Sequence, residues 1–189
     1  MELDARDFWN DGEIELFVLR PDDVTDAYVR WLNDPEINRF LESRFAEHTL
    51  DSTRGYVADM LESPGNLMMG IRSLALGRHV GNIKLGPIDR QHGLGEIGLM
   101  IGERTAWGRG IATRAISIIS RIGLEQLGLR KITAGCYASN AGSQKAFEKA
   151  DFFVEGLRKD HFLIDGETED LVLLARFGTG QRPASRDAA

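Results

Sequence analysis

The 189-residue sequence carries a single cysteine, Cys136. A lone thiol forms neither an internal disulfide nor a cysteine metal cluster, and with no activating partner in view it reads as a small buried hydrophobe. No apolar run approaches the roughly 20 residues needed to cross a bilayer, and the opening residues lack the basic-then-apolar profile of a secretory leader. Together these absences point to a soluble, cytoplasmic protein without a membrane role. The histidines, His48, His79, His92 and His161, fit no metal-ligand spacing, so no metal is expected. Repeats and low-complexity segments are missing too. A pair of glycines, Gly108 and Gly110, precedes a helical pattern, yet Thr113 stands where a dinucleotide fingerprint needs Gly or Ala. The Gly-Lys-Ser/Thr ending of a phosphate loop is absent as well.

The formal charge of -6 argues against general nucleic-acid binding, but it is unevenly spread. Residues 1–65 hold 16 acidic and 6 basic side chains, and the remainder holds 13 acidic and 17 basic. One reading is two solvated surfaces of different sign. The other is an acidic half that attracts a cationic substrate and a basic half that attracts an anionic cofactor.

Hydrophobic periodicity orders the chain. Residues 14–20 alternate at period two and stop at Pro21, and Asp22 and Asp23 then open a helix whose apolar side runs from Val24 to Leu32. A short helical piece follows Pro35, and a third helix, capped by Thr49 or Asp51, ends at Pro64-Gly65. Strand patterns at 66–76, 79–89 and 94–102 succeed one another at hairpin spacings. The longest helical pattern runs from Trp107 to Leu127 and stops at Gly128. A strand ("RKITAGCYA"), a short helix ("NAGSQKAFEKA") and two strands joined around Asp165-Gly166 complete the chain. The fold class is therefore α/β: a single mixed, mostly antiparallel central sheet of about seven strands flanked by helices. Residues 1–177 read as one domain and 178–189 as a disordered tail.

A glycine pair at a helix entrance lets a ligand approach the backbone closely, where unpaired first-turn N–H groups and the positive end of the helix dipole favour a phosphate. Arg104, Arg109 and Arg114 add positive charge at the same end.

The stretches "EIGLMIGERTAWGRGIATRAI" and "NAGSQKAFEKADFF" resemble the acetyl-CoA-binding core of the GNAT N-acetyltransferase superfamily, in particular its RimJ/RimL-type group. The resemblance covers about residues 14–177. It implies a GNAT-like fold and a turn that wraps the pyrophosphate of coenzyme A, here Thr105-Ala106-Trp107-Gly108-Arg109-Gly110, with Arg104 before it and Ile111, Ala112 and Thr113 after it. Thr105 departs from the Gln/Arg usual at the first position. Backbone N–H groups of Met100, Ile101 and Gly102 are expected along the pantetheine arm. Asn140, Ser143, Phe147 and Lys149 carry the second block of the cofactor site, with Asp151 at a position usually held by glycine. Many family members place a thiolate-protonating tyrosine where this chain has Phe147.

Moving an acetyl group from a thioester to an amine requires a neutral amine, a stabilised oxyanion and a protonated sulfur. Glu96, on the strand before the turn, is the candidate base, directly or through water. Ser143 is the candidate partner of the thiolate, with Tyr137 as its rival. Arg39, Phe40, Glu42, Arg44, Phe45 and His48 lie in the segment where similar folds bind the acceptor. The expected activity is acetyl transfer from acetyl-CoA to a primary amine, a protein N-terminus or a small amine, by a monomer or homodimer. An amino-sugar nucleotide or antibiotic acceptor is the alternative, and a non-catalytic acyl-CoA-binding module is the alternative of another class.

Overall fold

In a computed structural model of the chain, residues 9–179 are described; all but the first two residues of the expected tail lie outside them. Strands β1 (Trp9–Asn10), β2 (Ile14–Val18), β3 (Leu67–Ser73), β4 (Arg78–Leu85), β5 (Leu94–Ile101), β6 (Lys131–Tyr137), β7 (Phe153–Ile164) and β8 (Glu167–Phe177) form one sheet in the order β1-β2-β3-β4-β5-β6-β8-β7. The sheet has eight strands rather than about seven because Trp9 and Asn10 pair with Leu16 and Glu15. Every neighbouring pair is antiparallel except β5 and β6, which run parallel and require a crossover.

That crossover is helix α4 (Ile111–Arg121), continued by a π turn at Ile122–Gln126. It begins at Ile111, not Trp107, because Gly108 (φ 72°) and Gly110 (φ 75°) both adopt left-handed backbone that a helix cannot include. The aspartates after Pro21 likewise form only a 3-10 turn. Helix α1 (Asp26–Asn33) starts at Thr25, whose hydroxyl accepts from Tyr28 N–H at 3.3 Å. Helix α2 (Pro35–Asn38), a 3-10 turn at Glu42–Phe45, α3 (Leu50–Glu62) and α5 (Ala141–Lys149) complete the helices.

Period-two alternation divides the core between the two faces of the sheet. On one face Ile83, Leu85, Ile97, Ile132 and Leu174 pack against Ile116, Ile119 and Ile122 of the crossover helix and against Phe147 of α5. Each such fully buried aliphatic side chain contributes on the order of 1.5–3 kcal/mol. On the other face Phe17, Tyr28, Trp31, Val57 and Met100 form a second cluster beneath α1 and α3. The helices cover only part of this second face. Glu96 and Gly98 of β5 and Gly135 of β6 remain exposed on it.

Candidate active site

The parallel pair is where the sheet opens. Pairing runs from Leu94↔Lys131 to Ile97↔Ala134 and then stops, although β5 continues to Ile101 and β6 to Tyr137. Past this point the two strands form a fork. Glu96 O accepts from Gly86 N at 2.8 Å and Gly102 N donates to Val80 O at 2.9 Å, so the even-numbered backbone groups of β5 serve β4. By alternation the odd-numbered groups face β6, and those of Leu99 and Ile101 face the fork. This corrects the expectation for Met100 and Gly102, whose N–H groups belong to the β4 side. Gly102 is glycine for packing: a Cβ there would lie 2.1 Å from the Trp31 ring. The carbonyl of Ile101 is taken by the Trp107 indole N–H at 2.8 Å, which ties the turn to the strand end.

After Trp107 the chain passes through its two left-handed glycines, and Gly110 caps α4 without any side-chain cap. The first helical bond is Arg114 N to Gly110 O at 3.1 Å. The N–H groups from Gly108 to Thr113 have no acceptor among the described residues, leaving a concave set of donors at the positive end of the helix dipole. A Cβ at either glycine would meet nothing within 4 Å, so the space in front of these donors is open. The charge expected here is smaller than the sequence suggests. Arg104 pairs with Asp34 (2.7 Å) and Glu36 (2.6 Å), and Arg114 pairs with Asp11 at 2.8 Å. Arg109 is the exposed guanidinium of the turn without an ion pair among the described residues. Thr105, in the departing position, donates to Glu103 (2.9 Å) and accepts from Arg78 (3.2 Å), so its hydroxyl serves the turn itself. Its hydrogen bonds hold the Glu103 carboxyl below the usual range.

Asn140 caps α5 by accepting from Ser143 N at 3.1 Å. Ser143 is half-buried, and its hydroxyl has no partner among the described residues. Phe147, expected to touch cofactor, is 1% exposed and meets Phe152 edge-on with ring centroids 5.1 Å apart; it is core and offers no ligand surface. Lys149 is exposed in the last turn, and Asp151 ends the helix in left-handed backbone (φ 65°). Ile111 is buried, so its contribution at the turn is its N–H rather than its side chain.

Tyr137 lies at the end of β6 under the acceptor segment. It donates its hydroxyl proton to Glu42, accepts from Arg44 Nη1 at 2.8 Å and stacks on Phe162 at 4.3 Å, with Phe40 at 5.5 Å. Burial, reinforced by Glu42, pushes its phenol above the usual range. Arg44 is not free to clamp an acceptor phosphate. Its side chain is 14% exposed, donates to Leu41 O (2.9 Å) and Leu163 O (3.1 Å), and lies over the Phe45 ring at 4.1 Å. His48 is a loop clasp: its backbone exchanges two hydrogen bonds with the Asn33 side chain, and its Nε2 donates to Ser43 O at 2.9 Å. Arg39 pairs with Asp165 at 3.3 Å across to the turn of the β7–β8 hairpin. Between this turn and the segment lies a cleft of about 610 Å³ lined by Asn38, Arg39, Phe45, Glu47 and Leu163 among others. Of the acidic side chains in the segment, Asp34, Glu36 and Glu42 are held within the chain, while Glu47 and Asp51 stay exposed.

Glu96 is exposed, next to Thr133 on β6 and on the same face as Gly98. Cys136 is buried, its thiol pushed up to about 11 by desolvation and then by Glu148, which suits an inert residue. No group of histidine, cysteine, aspartate and glutamate among the described residues could hold a metal, and no helix among them is long and apolar enough to cross a membrane.

One sheet forked at its single parallel pair, with a glycine turn feeding the crossover helix, defines an α/β acyltransferase-type fold. The model of the acetyltransferase (GNAT) domain family matches residues 14–152, and the chain belongs to that family. Over 68 residues it is 37% identical to a probable N-acetyltransferase, YjcK, of Bacillus subtilis (strain 168), a match that spans 36% of this chain and 38% of that protein. Its fold is similar to that of spermidine N-acetyltransferase from Vibrio cholerae in complex with CoA and spermine (TM-score 0.79, 19% identity, 89% of this chain and 98% of that one). It is similar also to ribosomal-protein-S5-alanine acetyltransferase from Vibrio fischeri (TM-score 0.78, 18% identity, 93% and 99%).

The backbone of Leu99 was missed in the sequence, because which edge of a strand is left unpaired depends on where its neighbours stop, and no residue type marks that point.

Proposed function

We propose that this protein transfers an acetyl group from acetyl-CoA to a primary amine in a ternary complex. The observation that carries the proposal is the row of free N–H groups from Gly108 to Thr113 beside a fork with an unpaired strand edge. Such donors suit a pyrophosphate, and an extended amide-bearing arm can add to the β5 edge at Leu99 and the Ile101 N–H as a further strand would. Acetyl-CoA supplies the activated acyl group as a thioester. Glu96, directly or through a water, takes the proton from the acceptor ammonium so that the nitrogen lone pair can attack the acyl carbon. The C–S bond breaks, the Ser143 hydroxyl passes its proton to the departing sulfur, which leaves as the thiol, and the second proton of the attacking nitrogen restores the serine as the amide forms.

The acceptor is a cationic amine, either a peptide N-terminus in the manner of the RimJ/RimL-type group or a polyamine. The engagement of Arg44 with four hydrogen-bond partners disfavours a sugar-nucleotide phosphate, whereas Glu47 offers negative charge at the cleft. A protein of this kind works in the cytoplasm, where acetyl-CoA is made available. Thiol release from acetyl-CoA across a panel of peptides, polyamines and amino sugars tests the reading. Acceptor-dependent release is expected. Tight CoA binding without release for any amine would favour a non-catalytic binding module, a reading that Phe147 in place of a tyrosine supports.

A further inference from the structure

Lys84, on β4, is a strand lysine without a counter-charge. Lys131 pairs with Glu155 at 2.5 Å and Lys159 with Asp170 at 2.7 Å, whereas the ammonium of Lys84 has neither ion pair nor hydrogen bond among the described residues. Yet Lys84 is half-buried, where an unpaired charge costs more than it does in open solvent.

Register sets this lysine beside the candidate base. Lys84 stands opposite Gly98 across the β4–β5 ladder, and Glu96 is the next β5 residue on the same face. Diagonal neighbours on antiparallel strands have Cα atoms roughly 7–8 Å apart, within reach of long side chains. Glu96 nevertheless stays exposed and forms no ion pair with Lys84 among the described residues. A Cβ built at Gly98 would meet nothing within 4 Å, so the surface next to both charges is open. One face of the sheet thus carries an anion and a cation, each without a partner.

A second donor on β4 points the same way. Asn82, the same-face neighbour of Lys84 toward Met100, is 5% exposed, and its Nδ2 has no hydrogen-bond partner, while its Oδ1 is engaged by His79. Two successive nitrogen donors on this face therefore lack an acceptor from the chain itself. An oxygen-bearing ligand is what they suit.

We propose, resting on the acetyl-transfer reading above, that Lys84 determines specificity by pairing with a carboxylate of the acceptor, which is a peptide N-terminus whose first residue is aspartate or glutamate. The α-ammonium meets Glu96, and the side-chain carboxylate, a few bonds away, meets Lys84. The two unpaired charges of the face then match the two charges of one residue. This selects the peptide over the polyamine, which has no anion to offer and would set a second ammonium against Lys84. The bonds made and broken are those of acetyl transfer.

The test is the kcat/KM of the full chain with acetyl-CoA and three peptides that differ only in a first residue of Asp, Asn or Lys, with spermidine as a fourth acceptor. The Asp-first peptide should exceed the Asn-first peptide at least about tenfold, mainly through KM, as a charge-assisted hydrogen bond allows. Lys-first peptide and spermidine should fall lower still. Lys84→Met should bring the Asp-first and Asn-first values together, and Lys84→Glu should make the Lys-first peptide the best of the three. Equal acetyl-CoA affinity in both variants by calorimetry would show that the change lies in acceptor recognition. Equal kcat/KM for Asp-first and Asn-first peptides in the wild type would overturn the proposal. So would a Lys84→Met variant, folded by its melting temperature, that keeps the wild-type ratio. Absence of turnover with every amine in the wild type would instead remove the acetyl-transfer reading, and this proposal with it.

Discussion

The hydroxyl of Tyr137 donates a hydrogen bond to Glu42 and accepts one from Arg44 at 2.8 Å, so one phenol joins the end of β6 to two charged residues of the acceptor segment. A phenol so engaged, and held above its usual titration range by burial, is a poor source of the proton that a leaving thiolate needs. We propose that Tyr137 acts as a positioning residue. Tyr137→Phe should keep kcat within about tenfold while raising KM for the acceptor, because the loop carrying Arg44 loses its anchor. A collapse of kcat by the ~10²- to 10⁴-fold typical of a lost general acid would return the role to Tyr137.

Ser143 differs from Tyr137 in having a hydroxyl with no partner among the described residues, at the start of α5. Ser143→Ala is expected to lower kcat by about 10²-fold at constant CoA affinity. Glu96→Gln should act most strongly below the acceptor amine's own pKa, where the free base is scarce. Superimposable pH–rate profiles for Glu96→Gln and wild type would remove Glu96 from the mechanism.

The apolar face of the crossover helix, Ile111 through Ile122, and the three strands before it were legible as periodicity, since burial against a sheet imposes a period that no other arrangement satisfies. Side-chain roles were less so. Phe147 sits in a position that a family comparison makes functional, and only the packing of Phe152 against it reveals a core residue. Arg44 reads in sequence only as a member of the acceptor segment, because the partners that occupy it, Tyr137 and the Leu163 carbonyl, are distant in sequence. Arg104 and Arg114 counted as free charge at the turn for the same reason, their carboxylates lying on segments far from the turn. Local pattern fixes which face a residue occupies; long-range pairing decides whether its charge is available.

The glycine turn makes a separate prediction. Gly110 has φ 75° and ψ 5°, where an L-residue with a Cβ is strained by about 1–2 kcal/mol. Gly110→Ala should therefore lower stability by about that much, and Gly110→Val should also weaken CoA binding by calorimetry, because its side chain occupies the open space before the N–H donors. Unchanged CoA affinity in a folded Gly110→Val protein would place the phosphate elsewhere.

His79 predicts how stability depends on pH. Its Nε2 lies 2.8 Å from Gly81 O and 2.9 Å from Asn82 Oδ1, and since a carbonyl can only accept, Nε2 carries the hydrogen. Phe17, Tyr28 and Trp31 surround the ring edge-on at 5.5, 6.0 and 5.3 Å. Burial lowers its pKa, Arg72 adding in the same direction, against the opposing pull of Asn82, Gly81 and Asp23. The unfolded chain then takes up a proton near the ordinary histidine value of about 6.5, where the folded chain does not. Its contribution to stability is therefore complete above about pH 6.5 and is lost as the pH falls below it. Denaturant midpoints should hold steady from about pH 8 to 7 and decline between about pH 6.5 and 5, before the carboxylates titrate. His79→Gln should lower the midpoint at neutral pH and flatten that decline. An equally steep decline in the variant would show that another group carries it.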